Sequence, residues 1–250
     1  MSDVTTEGAG ESERPVVGRV AMVIGASRGL GAAIAAQLVA DGHRVVGTHR
    51  GTHVEVDGVT WVEADVTDEA SIDAAFTHAE ATLGPIEILV VNAAITRDGL
   101  MARMKDDDWL DVLDADLTGP FRCARRAVPK MMRARWGRII FIGSVVGSLG
   151  QAGQVNYASA KAGLKGLAHS MARELASRGV CVNVVAPGPL RTDMTDALTD
   201  DQRAALTSFV PMGRMGELAE VAATVGFLAG DGAGYISGAT IPVDGGLGLS

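Results

Sequence analysis

Tyr157 and Lys161 stand four residues apart in YASAK, and Ser144 lies thirteen residues upstream of the tyrosine. Four residues is about one helical turn, so a helix over this segment stacks both side chains on one face. A phenol, with a reference pKa of about 10, keeps its proton at neutral pH. A nearby ammonium favours the phenolate, which makes the phenol a better proton donor and its conjugate base a usable acceptor. A serine hydroxyl can hold a carbonyl oxygen against that phenol. Together the three could protonate the oxygen of a carbonyl while something else reduces its carbon. Tyr and Lys at this spacing are also ordinary on a helix surface, so the chemistry depends on the elements around them.

Those elements begin at the amino end. Arg19–Ile24 (RVAMVI) is a short apolar run that reads as a buried strand. It leads into Gly25, Ala26, Ser27, Arg28, Gly29, Leu30 and Gly31, then into AAIAAQLVADG, helical by composition and closing on Gly42. Strand, glycine-rich turn and helix in that order form a dinucleotide-binding opening. The glycines permit a tight turn, and the helix start offers unpaired N–H groups to a pyrophosphate. The spacing is GxxxGxG, not GxGxxG, and a glycine-rich loop taken alone can be a purely structural turn.

Along the whole chain the pattern predicts strands near 19–25, 44–48, 59–64, 86–91, 137–143, 179–185 and 239–243. Helices are expected near 29–41, 68–82, 106–134, 154–177 and 217–229. Strands alternating with helices give an α/β fold: a single Rossmann-type, doubly wound parallel sheet of about seven strands with helices on both faces. Ligands of such sheets bind at the carboxyl ends of the strands. The glycine turn, Arg50, Asp65, Asn92, Ser144 and Pro187 each follow a predicted strand, so they converge on one site.

Composition agrees. A chain of 250 residues with 47% hydrophobic residues and 32 glycines suits one α/β domain, expected over 15–250. Residues 1–14 (MSDVTTEGAGESER) are polar and acidic, lack an apolar signal core and are expected to form a disordered tail. No apolar run approaches the roughly 18 residues of a membrane span. Cys123 and Cys181 read as buried thiols of a reducing cytoplasm, and no Cys/His cluster suggests a metal. No nucleic-acid or membrane partner is expected.

GASRGLG, Asn92-Ala93-Ala94, Ser144, YASAK and Pro187-Gly188 fall in the order and spacing of the short-chain dehydrogenase/reductase family, which the chain resembles over roughly residues 17–247. Within that family, NAAITRDGLMARM, GRIIFIGSVVGSLG, NVVAPGPLRTDMT and YISGATIPVDGG look most like 3-oxoacyl-[acyl-carrier-protein] reductases of bacterial fatty acid biosynthesis. The resemblance implies NADPH-dependent reduction of a 3-oxoacyl thioester to the 3-hydroxyacyl thioester. In that reaction Tyr157 is the acid, Ser144 positions the oxygen, and Lys161 anchors the ribose. The alternative substrates are a polyketide carbonyl, acetoacetyl-CoA or a small ketone. A third possibility is a cofactor-binding protein that has lost turnover.

Cofactor choice follows from the end of the second strand. NAD-binding chains usually carry an acid there that accepts from the ribose 2′-hydroxyl. Here VVGT ends in His49-Arg50, with no carboxylate until Glu55. Arg50, with Arg28 of the glycine turn, can pair with a 2′-phosphate and so favours NADPH/NADP+; a solvated turn residue is the other reading of Arg50. Asp65 and Val66 match the family's adenine contact, although Asp65, Thr67 or Asp68 could equally cap the next helix. By the same resemblance Asn92 and Ala93 lie beside the cofactor ribose. Pro187, Gly188, Leu190 and Thr192 match the loop that holds the nicotinamide carboxamide.

One residue departs from the resemblance. Family members generally carry an Asn before x-x-Gly in the helix between the fourth and fifth strands, where it supports a water that relays protons to the lysine. This chain has Asp116-Leu117-Thr118-Gly119. An ionised Asp only accepts hydrogen bonds. It could hold that water, pair with Lys161 and weaken the lysine's effect on Tyr157, or be a solvated helix carboxylate.

An acyl carrier protein is acidic and this chain carries a net charge of −8, so whole-molecule attraction is absent and a local basic patch is required. Arg135 and Arg178 match carrier-binding positions of the family. Arg122, Arg125, Arg126, Lys130, Arg133 and Arg138 add cationic surface, or form an ordinary solvated face. The helices after Asp106 and Val155 resemble the paired-helix interfaces of the family and imply a homotetramer of approximate D2 symmetry.

Overall fold

The computed structural model describes residues 18–192 and 207–248, with Thr195, Thr199 and Ala204 between them. The expected tail over 1–14 lies outside the described residues. In chain order the main elements are β1 (Val20–Ile24), α1 (Gly29–Ala40), β2 (Arg44–His49), β3 (Val59–Glu63), α2 (Glu69–Leu83) and β4 (Ile88–Val91). Then come α3 (Asp106–Leu113), α4 (Gly119–Ala134), β5 (Gly137–Ile142), α5 (Val146–Leu149), α6 (Val155–Leu175) and β6 (Val180–Pro187). Numbering the described helices onward, α7 spans Leu218–Ala229, and β7 spans Thr240–Val243.

All seven strands run parallel in one sheet, ordered β3-β2-β1-β4-β5-β6-β7. Every residue of β1, β4, β5 and β6 is buried, which is why β1 and β4 read as unbroken apolar runs without alternation, and β5 and β6 do so apart from Arg138 and Asn183. Leu89, Ile139 and Phe141 point to the face covered by α2, α4 and α6, while Val90, Ile140 and Ile142 point to the face covered by α1 and α7. Neighbouring strands β1 and β4 carry the chain to opposite sides of the sheet order. A crevice therefore opens at their carboxyl ends.

The single helix expected over 106–134 is broken. Between α3 and α4, Asp114–Thr118 form a π-helical turn in which the Gly119 N–H donates to the Asp114 carbonyl, five residues back. Pro120 explains the widening. It has no N–H for the Asp116 carbonyl four residues earlier, and its ring crowds that carbonyl. The helix expected over 154–177 is α6 followed by a 3₁₀ turn, Ala176–Arg178. Among the described residues no helix is long and apolar enough to cross a membrane.

Candidate active site

At the carboxyl ends of β1 and β4 lies a cleft of about 490 Å³, lined by Gly25, Ser27, Arg28, Arg50, Val66, Asn92 and Ala93 among others. β1 leaves the sheet through Gly25, at φ 79°, where an added Cβ would sit 2.7 Å from the Ala93 backbone. The Gly25 N–H donates to Thr48 Oγ1 (2.9 Å), and Asn92 Nδ2 donates to the Gly25 carbonyl (2.8 Å). At Gly31 a Cβ would meet that carbonyl at 2.0 Å, so α1 can start this close to β1 only with glycine there. Leu30 packs back onto the core. Arg28 caps α1 with extended backbone, no side chain caps it, and its first turn holds no acid, leaving N–H groups and positive dipole for an anion. This donor set fits the pyrophosphate of a dinucleotide.

Arg50 and Asp65, at the ends of β2 and β3, form an ion pair at 3.6 Å. Asp65 Oδ1 also accepts from the Thr67 N–H (2.9 Å) and hydroxyl (2.7 Å). Burial pushes the Asp65 carboxyl up, but these bonds and Arg50 outweigh it and hold the group below the ordinary range. The cap of α2 is Asp68, whose Oδ1 accepts from Ala70, so Asp65 and Thr67 are free of that duty. Pro187 ends β6 and its carbonyl accepts from Val145, next to Ser144; the Gly188 N–H donates to Val243. Leu190 bridges to Gly216, and the Thr192 N–H donates to Thr195 Oγ1 (2.7 Å).

Ser144 follows β5, and α6 carries Tyr157 and Lys161 past it. Gly147 permits the approach, since a Cβ there would lie 2.8 Å from the Ala162 N–H and the Lys161 carbonyl carbon. Lys161 Nζ lies 5.5 Å from the centre of the Tyr157 ring and donates to the Ile142 carbonyl at 3.1 Å. Its other neighbour is Asp116 Oδ2, at 3.6 Å. Asp116 is fully buried in the π turn, its Oδ1 accepting from the Ile95 N–H (2.8 Å) and its Oδ2 without a hydrogen bond. The solvated-carboxylate reading of Asp116 is therefore excluded.

Burial raises the Asp116 pKa and lowers that of Lys161, each partner opposing the effect on the other. The Tyr157 phenol is pushed up to about 12, first by burial, then by the Asp116 carboxylate, while the Ser144 hydroxyl, as its hydrogen-bond partner, pulls it down. The direction is thus opposite to the expected acidification of Tyr157: burial first, and the Asp116 carboxylate second, outweigh the Ser144 hydroxyl.

Arg135 and Arg178 are not brought to this site. Arg135 ends α4 in the left-handed region (φ 53°) and donates to the Ser177 carbonyl at 2.9 Å. Both arginines thus sit at the amino ends of β5 and β6, the opposite edge from Ser144. The basic run of α4 is largely neutralised by acids: Arg122 pairs with Asp114, Arg125 with Glu69, Arg126 with Asp73 and Glu80, and Lys130 with Glu80. Arg138 is buried with its guanidinium over Trp136.

Two supporting residues carry no sequence signature. Thr48 is one, through Gly25. Asn156 is the other: fully buried, it donates to the Arg97 (2.9 Å) and Asp108 (3.1 Å) carbonyls and accepts from the Tyr157 N–H (2.8 Å).

Residues 25–248 match the family described as enoyl-(acyl carrier protein) reductase. The chain is 49% identical over 246 residues to the 3-oxoacyl-[acyl-carrier-protein] reductase MabA of Mycobacterium avium, which covers 98% of this chain and 96% of that protein. It is 51% identical over 237 residues to the 3-oxoacyl-[acyl-carrier-protein] reductase FabG of Salmonella typhimurium, and 50% identical over 237 residues to that of Escherichia coli K12. Each of those two alignments covers 92% of this chain and 97% of the relative.

Proposed function

The chain belongs to the short-chain dehydrogenase/reductase family, and from that premise we propose that it is an NADPH-dependent 3-oxoacyl-[acyl-carrier-protein] reductase of fatty acid biosynthesis. The observation that carries this reading is the convergence of Ser144, Tyr157 and Lys161 beside the cleft at the end of β1. A reduced nicotinamide held by the glycine turn, Asn92 and the loop over 187–192 would supply the hydride for the 3-oxo carbon. Tyr157 gives its phenolic proton to the carbonyl oxygen as negative charge develops there. The Ser144 hydroxyl donates to the same oxygen and holds it against the phenol. Lys161 binds the ribose and stabilises the phenolate left behind. Asp116 acts as a positioning residue, holding Lys161 through the ion pair at 3.6 Å.

Arg28 and Arg50 support NADPH over NADH as the phosphate-pairing groups. Exposed Leu110, Phe121, Phe227 and Tyr235 support assembly, which we propose to be a cytoplasmic homotetramer; light scattering at micromolar concentration giving a monomer would contradict it.

A second reading retains the chemistry and replaces the carrier-linked substrate by a CoA thioester, polyketide or small ketone. The neutralised arginines of α4 and the remote Arg135 and Arg178 favour it, since these residues, expected to bind the carrier, supply no unpaired cation beside Ser144 within one chain. NADPH consumption with acetoacetyl groups on carrier protein and on CoA tests both. A kcat/KM at least tenfold higher for the carrier-linked form supports the first reading, equal values favour the second, and no turnover on either removes both.

A further inference from the structure

Three rings stack at the carboxyl ends of β2 and β3. His53 lies on Trp61 with ring centres 4.1 Å apart and planes at 29°, and His49 lies on His53 at 4.5 Å and 30°. The stack is built into the sheet: a Cβ at Gly47 would lie 2.8 Å from the Trp61 ring, so β2 leaves that ring its place. His53 is held at its far side by Glu55, 3.2 Å from Nε2. The backbone of this loop is pinned to the glycine turn, the Val54 N–H donating to the Ser27 carbonyl at 2.9 Å.

The outermost ring, His49, lines the same cleft as Arg28 and Arg50. Its Nδ1 accepts from the Gly51 N–H at 3.1 Å, which places the proton of the neutral ring on Nε2. Among the described residues Nε2 makes no hydrogen bond. The ring is therefore a fixed N–H donor with one free position, at the strand end where a cofactor's adenosine ribose is distinguished. Carboxylates surround it: Asp65 on Arg50, Glu55 on His53, and Glu63, in register with His49 on β3. They dilute the charge of the two arginines, so an added donor matters more here than beside an isolated cationic pair.

Resting on the reading of an NADPH enzyme, we propose that His49, oriented by the His53–Trp61 stack, is a third ligand of the 2′-phosphate and a determinant of cofactor choice. A donor immobilised by stacking loses little freedom on binding. A hydrogen bond to a dianion is of the stronger, charge-assisted kind.

The test is calorimetric titration of the full chain with NADP+, NAD+, 2′,5′-ADP and 5′-AMP, for the wild type and for His49→Phe, which retains a ring for the stack and removes the donor. The expected result is a loss of about tenfold in affinity for NADP+ and 2′,5′-ADP, with NAD+ and 5′-AMP within twofold of wild type. Trp61→Leu, which loosens the support, should weaken the same two ligands by a smaller factor. Equal weakening of all four ligands by His49→Phe overturns the proposal, reducing His49 to a wall of the adenosine site. A wild-type preference for NADP+ that His49→Phe leaves intact overturns it while the NADPH reading stands. Equal wild-type affinity for NADP+ and NAD+ removes the NADPH reading, and this proposal with it.

Discussion

Asp116 Oδ2 lies 3.6 Å from Lys161 Nζ, and both side chains are sealed from solvent, at 0% and 3% exposure. A buried carboxylate so near a buried ammonium cannot be electrostatically silent, and it stands among the causes that raise the Tyr157 phenol.

From this pair comes the first prediction. Asp116→Asn removes a negative charge, so the Tyr157 pKa falls from its value near 12. The alkaline limb of carbonyl reduction, which needs the phenol, moves to lower pH. Alcohol oxidation, which needs the phenolate, gains at fixed alkaline pH. Reduction at neutral pH stays within about threefold of wild type, because the phenol remains protonated there. Asp116→Ala also takes the partner from the half-buried Ile95 N–H and costs about 1–3 kcal/mol of stability in a urea melt. Superimposable rate–pH curves for wild type and Asp116→Asn would retire the electrostatic coupling.

Tyr157→Phe retains the ring and removes the acid. Reduction should fall by about 10²–10⁴-fold while NADP+ affinity changes little. The phenol also sets a stability window. Its folded pKa, about 12, exceeds the ordinary 10.0, so its contribution is full below pH 10 and is lost as pH rises from 10 to 12. Wild type should lose more stability than Tyr157→Phe over that interval in denaturant melts. A variant retaining most of its turnover would remove Tyr157 from the proton transfer.

Strand identity was readable because the buried parallel strands are dominated by short apolar runs, uninterrupted in β1 and β4, and the glycine turn because Gly25 and Gly31 answer to steric contacts that any side chain violates. The break at Asp114–Thr118 was less visible: its cause, Pro120, lies inside a stretch whose composition is otherwise helical. The upward direction of the Tyr157 shift was not readable, because it comes first from burial. Spacing along α6 shows the lysine but not the carboxylate, which reaches the site from another helix. Likewise the arginines of α4 look like a cationic surface until α2 brings Glu69, Asp73 and Glu80 against them. Asn156 and Thr48 act through tertiary bonds that have no sequence period.

On the NADPH reading, Arg50→Asp exchanges the proposed phosphate partner for a ribose acceptor, and it ends the ion pair with Asp65. Two carboxylates then face the cleft from β2 and β3, repelling a 2′-phosphate. The ratio of NADPH to NADH kcat/KM should drop by about tenfold or more, the scale of a lost charge-assisted bond. An unchanged ratio would show that Arg50 takes no part in cofactor choice.

Asn156 ties three segments together at the start of α6: the loop after β4 through the Arg97 carbonyl, α3 through the Asp108 carbonyl, and α6 itself through the Tyr157 N–H. All three bonds are enclosed, since the side chain has no exposed surface. Asn156→Ala removes the side-chain partner of the Arg97 and Asp108 carbonyls and of the Tyr157 N–H, and the expected loss is about 1–3 kcal/mol in urea melts. The same change frees the backbone of Tyr157, so kcat should fall by about tenfold or more with a smaller change in cofactor Kd, as misplacement of an acid weakens the proton transfer more than cofactor binding. Asn156→Asp separates the two effects: it retains the acceptor for Tyr157 but sets a carboxylate against two carbonyl oxygens. It should therefore be at least as unstable as the alanine variant at neutral pH and recover stability on acidification, when the protonated acid can donate again. A stability loss under about 0.5 kcal/mol for Asn156→Ala would place it among ordinary surface substitutions and dissolve the positioning role.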